Sequence, residues 1–190
     1  MPDNHNLYIV SGGPGSGKTS LLAALAKQGI ACMPEAGRSI IQDQLAIGGS
    51  ALPWSNPAAF ADLMLCWDLR SYREAQLLQH PVLFDRGIPD VMGFLLLNKL
   101  PVPPHIENAA HTFRYNHRVF LAPPWPDIYT QDAERKQSPE EAMATFNTMQ
   151  ALYTKLNYET ILLPLAPVAD RVQFLLHSIR TGDDKCAKTT

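Results

Sequence analysis

Lys18 and Thr19 close the run Gly12-Gly13-Pro14-Gly15-Ser16-Gly17-Lys18-Thr19, and Ser20 follows directly. Small residues, one cation and adjacent hydroxyls suit one chemistry, the holding of a polyphosphate. Backbone N–H groups must all point inward at the anion. That needs conformations glycine reaches at little steric cost, and it leaves no room for most side chains. A strand-like stretch, LYIVS, precedes the turn and a helical run, TSLLAALAKQ, follows it. The helix would present unpaired N–H groups and its positive dipole end to the same anion. Lys18 is placed to reach the β- and γ-phosphates, and Thr19 to set its hydroxyl on Mg²⁺. Residues 12–20 are therefore the expected site of a nucleoside triphosphate.

A second group lies at Val82-Leu83-Phe84-Asp85-Arg86-Gly87. An apolar strand ending in aspartate suits a carboxylate that holds Mg²⁺, directly or through water, at the carboxyl edge of a parallel sheet. The competing reading makes Asp85 a cap on the next helix. Hydrolases with this turn often follow the aspartate with a glutamate that polarises water, whereas here Arg86 follows. A guanidinium suits an acceptor's phosphate or the transferring group, so the pattern points to phosphoryl transfer. A structural ion pair is the alternative role for Arg86. Two GTPase signatures fail: Asn98-Lys99-Leu100-Pro101 lacks the base-reading aspartate, and Asp90-Val91-Met92-Gly93 falls inside an expected helix.

Glu35 and Arg38, in PEAGR after the second expected strand, fall beside the phosphate turn, where an acceptor would sit. Glu35 can accept hydrogen bonds from acceptor hydroxyls or act as general base, and it can equally cap a helix. The long polar stretch 123–137 reads as a lid whose Arg135 would close on the phosphates, with Lys136 a weaker candidate. Leu163–Pro167 ends the fifth strand, where a donor base can rest. Trp54, Trp67 and Trp125 read as packing or groove residues, because no basic stripe accompanies them.

The elements that must position these groups follow from periodicity. Apolar strand-like runs occur near 7–11, 30–34, 81–85, 117–122 and 159–164, separated mostly by helical spacing. A long helix is expected over 57–79. Another opens at Ser138-Pro139-Glu140-Glu141 and runs to about 156, and a last one covers 168–180. Strands alternating with helices imply a parallel sheet covered on both faces. The chain reads as a single domain over 1–180, with 181–190 a frayed tail.

Composition narrows the function classes. The chain is 46% hydrophobic with a formal net charge of −2 and no basic block, which argues against nucleic acid or anionic membrane as partner. No apolar run is long enough to span a bilayer, and the first residues lack a signal-peptide pattern. Cys32, Cys66 and Cys186 show no CxxC spacing and read as reduced thiols, so a cytoplasmic protein is expected.

In order along the chain, GGPGSGKT, PEAGRS, FDRG, VFLAPPWP, the lid residues Tyr129, Asp132 and Arg135, and LNY, ILLP and DRV form a familiar set. It resembles the small AAA-type P-loop proteins related to nucleoside and nucleotide kinases, nicotinamide riboside kinase-like domains among them. The resemblance implies a three-layer α/β fold, a parallel five-stranded sheet ordered 2-3-1-4-5, and ATP with Mg²⁺ as donor. By position, Lys18 and Thr19 match the phosphate-loop residues, Asp85 the metal carboxylate and Arg135 the lid arginine. Arg171, in DRV, matches a recurring position for which ion pairing is the expected role. Asp132-Ala133-Glu134-Arg135 departs from the expected lid, since Glu134 would repel a phosphorylated ligand. The leading expectation is an ATP–Mg²⁺-dependent kinase of a small molecule, a nucleoside or nucleotide, using Lys18, Asp85, Arg86 and Arg135. Glu35, Arg38 and Arg86 would face the acceptor, and Asp85 or Glu35 would take its proton. The rival is a regulatory ATP or GTP switch with slow hydrolysis and a protein partner.

Overall fold

Leu7–Gly12 (β1) is buried along its whole length, so both faces of its pleat carry core residues. Such a strand belongs in the middle of a parallel sheet, between two layers of helix. The computed structural model describes residues 3–126 and 138–186 and places β1 there. The remaining strands are β2 (Ala31–Met33), β3 (Val82–Asp85), β4 (Arg118–Ala122) and β5 (Glu159–Leu162). All pair in parallel, in the order β2-β3-β1-β4-β5. The helices are α1 (Lys18–Lys27), α2 (Ala36–Ile47), α3 (Pro57–Gln76), α4 (Ile88–Leu97), α5 (Pro104–Thr112), α6 (Pro139–Lys155) and α7 (Val168–Cys186). The expected three-layer fold and strand order are both present.

Alternation along the strands sorts the core into two layers. Leu7, Ile9, Phe84, Val119 and Leu121 pack with Leu65, Val91, Ile106, Met149 and Tyr153, from α3, α4, α5 and α6. Tyr8, Val10, Leu83 and Phe120 pack with Leu21, Leu25, Val172 and Leu175, from α1 and α7. Register then aligns the strand ends: Val10 lies opposite Asp85, and Gly12 opposite Ala122. The glycine turn and Asp85 therefore share the carboxyl edge of the sheet, where ligands of such folds bind.

Local signals account for most helix ends. Asn56 caps α3 by accepting from the Ala59 N–H at 3.1 Å, ahead of Pro57 at the first helical position. Ser138 and Glu141 form a reciprocal capping box on α6. The helix α3 stops at Gln76, three residues short of the expected end. The last helix continues to Cys186, beyond the expected end near 180, while 187–190 lie outside the described residues. The proline-led α5 buries Ile106, Ala109 and Ala110, but at 9 residues it is too short for periodicity to single it out. No helix among the described residues is long and apolar enough to cross a membrane.

Gly12 has φ 134°, and a Cβ there would run into the Ala122 carbonyl oxygen of the adjacent strand. That oxygen is backbone and cannot yield without parting β1 from β4. Gly12→Ala should therefore cost on the order of 3 kcal/mol. Urea unfolding checks it, and an unchanged midpoint would contradict the packing of this turn against β4.

Candidate active site

The turn between β1 and α1 lines a cavity of about 860 Å³ with Pro14 to Ser20. Gly17, the N-cap of α1, has φ 75° and offers no side chain to the helix end. The unpaired N–H groups of the first helical turn are thus left for a ligand. Lys18 is buried, and its Nζ donates to the carbonyls of Gly12 and Gly13, each at 2.8 Å. Ser16 Oγ donates to the Gly13 carbonyl at 2.7 Å, which tightens the same turn. Burial lowers the Lys18 ammonium to about 8, with Arg86 pushing the same way and Asp85, Glu35 and Asp90 opposing. The loop therefore holds its cation close to the proton-binding balance point, where an anionic ligand decides its charge.

Trp125, Ala166, Pro167, Val168 and Arg171 also line this cavity. Arg171 is buried, donates to the Ser16 carbonyl at 3.1 Å and lies 5.8 Å from the Trp125 ring centroid. It makes no ion pair with a described residue, which corrects the expected role. Its guanidinium braces the glycine turn from α7 instead. Cys32 also lines the cavity, and burial pushes its thiol up to about 11.

Asp85 ends β3 facing the same cavity, and its Oδ1 is buried with no hydrogen-bond partner. Burial raises its carboxyl above the usual range, while Lys18 draws it back. An orphaned carboxylate oxygen in a cavity that Thr19 also lines suits a hard cation with oxygen ligands. Asp85 does not cap the next helix, because Gly87 is the N-cap of α4.

Arg86 has φ 71°, a left-handed conformation that is costly for a side chain of this size. The twist turns consecutive residues apart: Asp85 faces the large cavity, and Arg86 faces a second one of about 380 Å³. Arg86 Nε donates to Glu35 Oε1 at 3.2 Å, and its Nη1 lies 3.6 Å from Asp90 Oδ1. Burial works against this cation, but Glu35, then Asp90 and Asp85, outweigh it and hold the guanidinium charged. Glu35 is the N-cap of α2, yet its side chain makes no capping bond. Instead it lines both cavities, as does Pro14.

Glu35, Asp85, Arg86 and residues 14–20 thus converge at one edge of the sheet, with Arg38 beside them. Arg135 lies outside the described residues, with Tyr129, Asp132, Glu134 and Lys136. Sequence reasoning missed Asp90, which is buried and accepts from Ser11 Oγ, from the Gly87 N–H at 2.9 Å and from Tyr153 Oη at 2.5 Å. It ties Arg86 to β1 and α6. An acid at the third position of a proline-led helix was its available signal. Also missed was Asp68, an acid set among Ala61, Leu65, Tyr72 and Ala75 on the apolar stripe of α3.

A family model described as an AAA domain matches residues 7–171. Similar solved structures include a deoxyadenosine kinase from M. mycoides, 13% identical with a TM-score of 0.65, over 92% of this chain and 99% of that one. A thymidylate kinase from Ehrlichia chaffeensis is 13% identical with a TM-score of 0.62, over 94% and 100%. A shikimate kinase from Acinetobacter baumannii, solved with shikimate, is 17% identical with a TM-score of 0.57, over 93% of each chain. No curated protein matches by sequence.

Proposed function

We propose that this chain, which belongs to the AAA domain family, transfers the terminal phosphoryl group of ATP to a hydroxyl of a small molecule of the nucleoside or nucleotide type. One observation carries the reading: two cavities meet at Glu35 and Pro14, with Asp85 turned to one and Arg86 to the other. A site that only hydrolysed its nucleotide would need no second chamber beside the phosphates.

In this reading the turn 12–20 holds the donor, with its phosphates on the N-terminus of α1 and on Lys18. Thr19 and Asp85 would hold Mg²⁺, which when bound neutralises phosphate charge. The base of the donor rests toward Trp125 and Pro167. Glu35, which faces both chambers, accepts the proton of the acceptor hydroxyl as its oxygen bonds to the γ-phosphorus. The bond from that phosphorus to the bridging oxygen breaks, and ADP leaves with the electron pair. Arg86 sits where charge on the transferring group develops, and Asp90 and Glu35 fix its direction. Arg135 remains the proposed lid arginine.

ADP release with Mg²⁺, followed over a range of nucleosides and nucleoside monophosphates against a control without acceptor, tests the proposal. Strong stimulation by one acceptor, with a phosphorylated product, is expected. Slow turnover unmoved by any acceptor would favour the rival, a nucleotide switch with a protein partner.

A further inference from the structure

The two chambers differ in charge. The donor cavity carries Lys18, Arg38 and Arg171 against Glu35 and Asp85, at the positive end of a helix. The smaller cavity carries Glu35, Asp68 and Asp90. Among the described residues lining it, Arg86 is the single cation, and it is already engaged by Glu35 and Asp90. An acceptor bearing its own phosphate would bring two more negative charges into a chamber where Glu35 and Asp90 already outnumber Arg86, even with the Asp68 carboxyl neutral. Apart from Thr145, the rest of the wall is mostly apolar. Phe60 and Phe94 meet edge to face with centroids 5.3 Å apart, and Trp54, Met64 and Met149 complete the walls. Such a slot suits a flat ring.

Among the described residues, Asp68 is the one ionisable group in this chamber with no hydrogen bond or ion pair to its neighbours. Arg86 holds both Glu35 and Asp90, whereas no hydrogen bond or ion pair joins Asp68 to another described residue. Burial, then Asp90 and Glu35, push its carboxyl well above the usual range. A carboxyl that keeps its proton offers one donor and one acceptor side by side. That pair matches the amide-like or amidine-like edge of a nitrogen heterocycle.

We infer that the smaller cavity takes an unphosphorylated nucleoside, and that Asp68 reads the edge of its ring as donor and acceptor together. The inference rests on the reading of this chamber as the acceptor site. It narrows the acceptor from nucleosides and nucleotides to nucleosides. It also makes Asp68, on α3, a specificity residue.

Calorimetric titration of the full chain with nucleosides and their 5′-monophosphates, alongside turnover with ATP, tests this. At least one nucleoside should bind about tenfold or more tightly than its monophosphate. Asp68→Leu should weaken that nucleoside by about tenfold and level the preference among bases, while leaving the Kd for ATP within about twofold. Asp68→Asn, which keeps a donor beside an acceptor, should retain the preference. A monophosphate that binds as tightly as its nucleoside would overturn the charge inference. So would a failure of every nucleoside to bind at millimolar concentration. Equal binding by wild type and Asp68→Leu would remove Asp68 from recognition, and equal loss in both variants would overturn its role as a neutral donor–acceptor. Binding that depends on Asp68 without phosphoryl transfer would uphold the pocket and sink the kinase reading. The two failures are therefore distinguishable.

Discussion

Lys18→Ala is expected to lower phosphoryl transfer on the order of a thousandfold while the protein stays folded. The side chain touches only its own turn, through the carbonyls of Gly12 and Gly13 and, at 3.4 Å, Ser16 Oγ. Removing it strips no packing from either core layer, so far-UV circular dichroism and the thermal midpoint should stay close to wild type. Collapse of the variant without ligand would overturn this. A second readout comes from its pKa of about 8, below the ordinary 10.5. Between these values the unfolded chain binds a proton that the folded chain lacks, so this group makes stability rise with pH across that window. A bound triphosphate reverses the depression, because its negative charge favours the ammonium. At pH 8, nucleotide binding should therefore take up about half a proton more in wild type than in Lys18→Ala. Calorimetry in two buffers of different ionisation enthalpy measures it. Identical uptake in the two proteins would show that Lys18 does not meet the phosphates.

Arg86→Ala should lose transfer on a similar scale, on the order of a thousandfold, while ATP affinity changes by only about threefold. Arg86 faces the smaller chamber, and the side chain turned to the donor is that of Asp85. Stability should also fall, by about 3 kcal/mol, because Glu35 and the buried Asp90 lose their cation. Alanine gains nothing at φ 71°, where it is strained as well. Arg86→Lys keeps a charge but not the planar fork that addresses two carboxylates, so it should fall between wild type and alanine. Single-turnover transfer, nucleotide titration and urea unfolding separate these effects. If Arg86→Ala weakened ATP binding alone, its placement on the acceptor side would be wrong.

The sequence by itself determined whatever depends on contiguous residues. The glycine turn, its preceding strand and its following helix are one local requirement, since each backbone conformation is imposed on the residue that adopts it. The five strands were legible because residues such as Leu7 to Val10 are apolar on both faces, and only a parallel sheet between helices buries both. Their alternation with helices gave the parallel sheet, and the family resemblance gave the order of its strands. Tertiary structure decided the rest. Glu35 and Arg86 are 51 residues apart, and the pairing of β2 with β3, which sets Met33 opposite Phe84, brings them together. Asp90 reads as a helix-start acid until the folding of α6 brings Tyr153 against it. Asp68 reads as a blemish on an apolar stripe until a cavity opens beside it. Arg171 reads as half of an ion pair until α7 delivers it to the Ser16 carbonyl, 155 residues away. Backbone preference is written residue by residue. The partner of a buried charge depends on which distant element the packing sets against it.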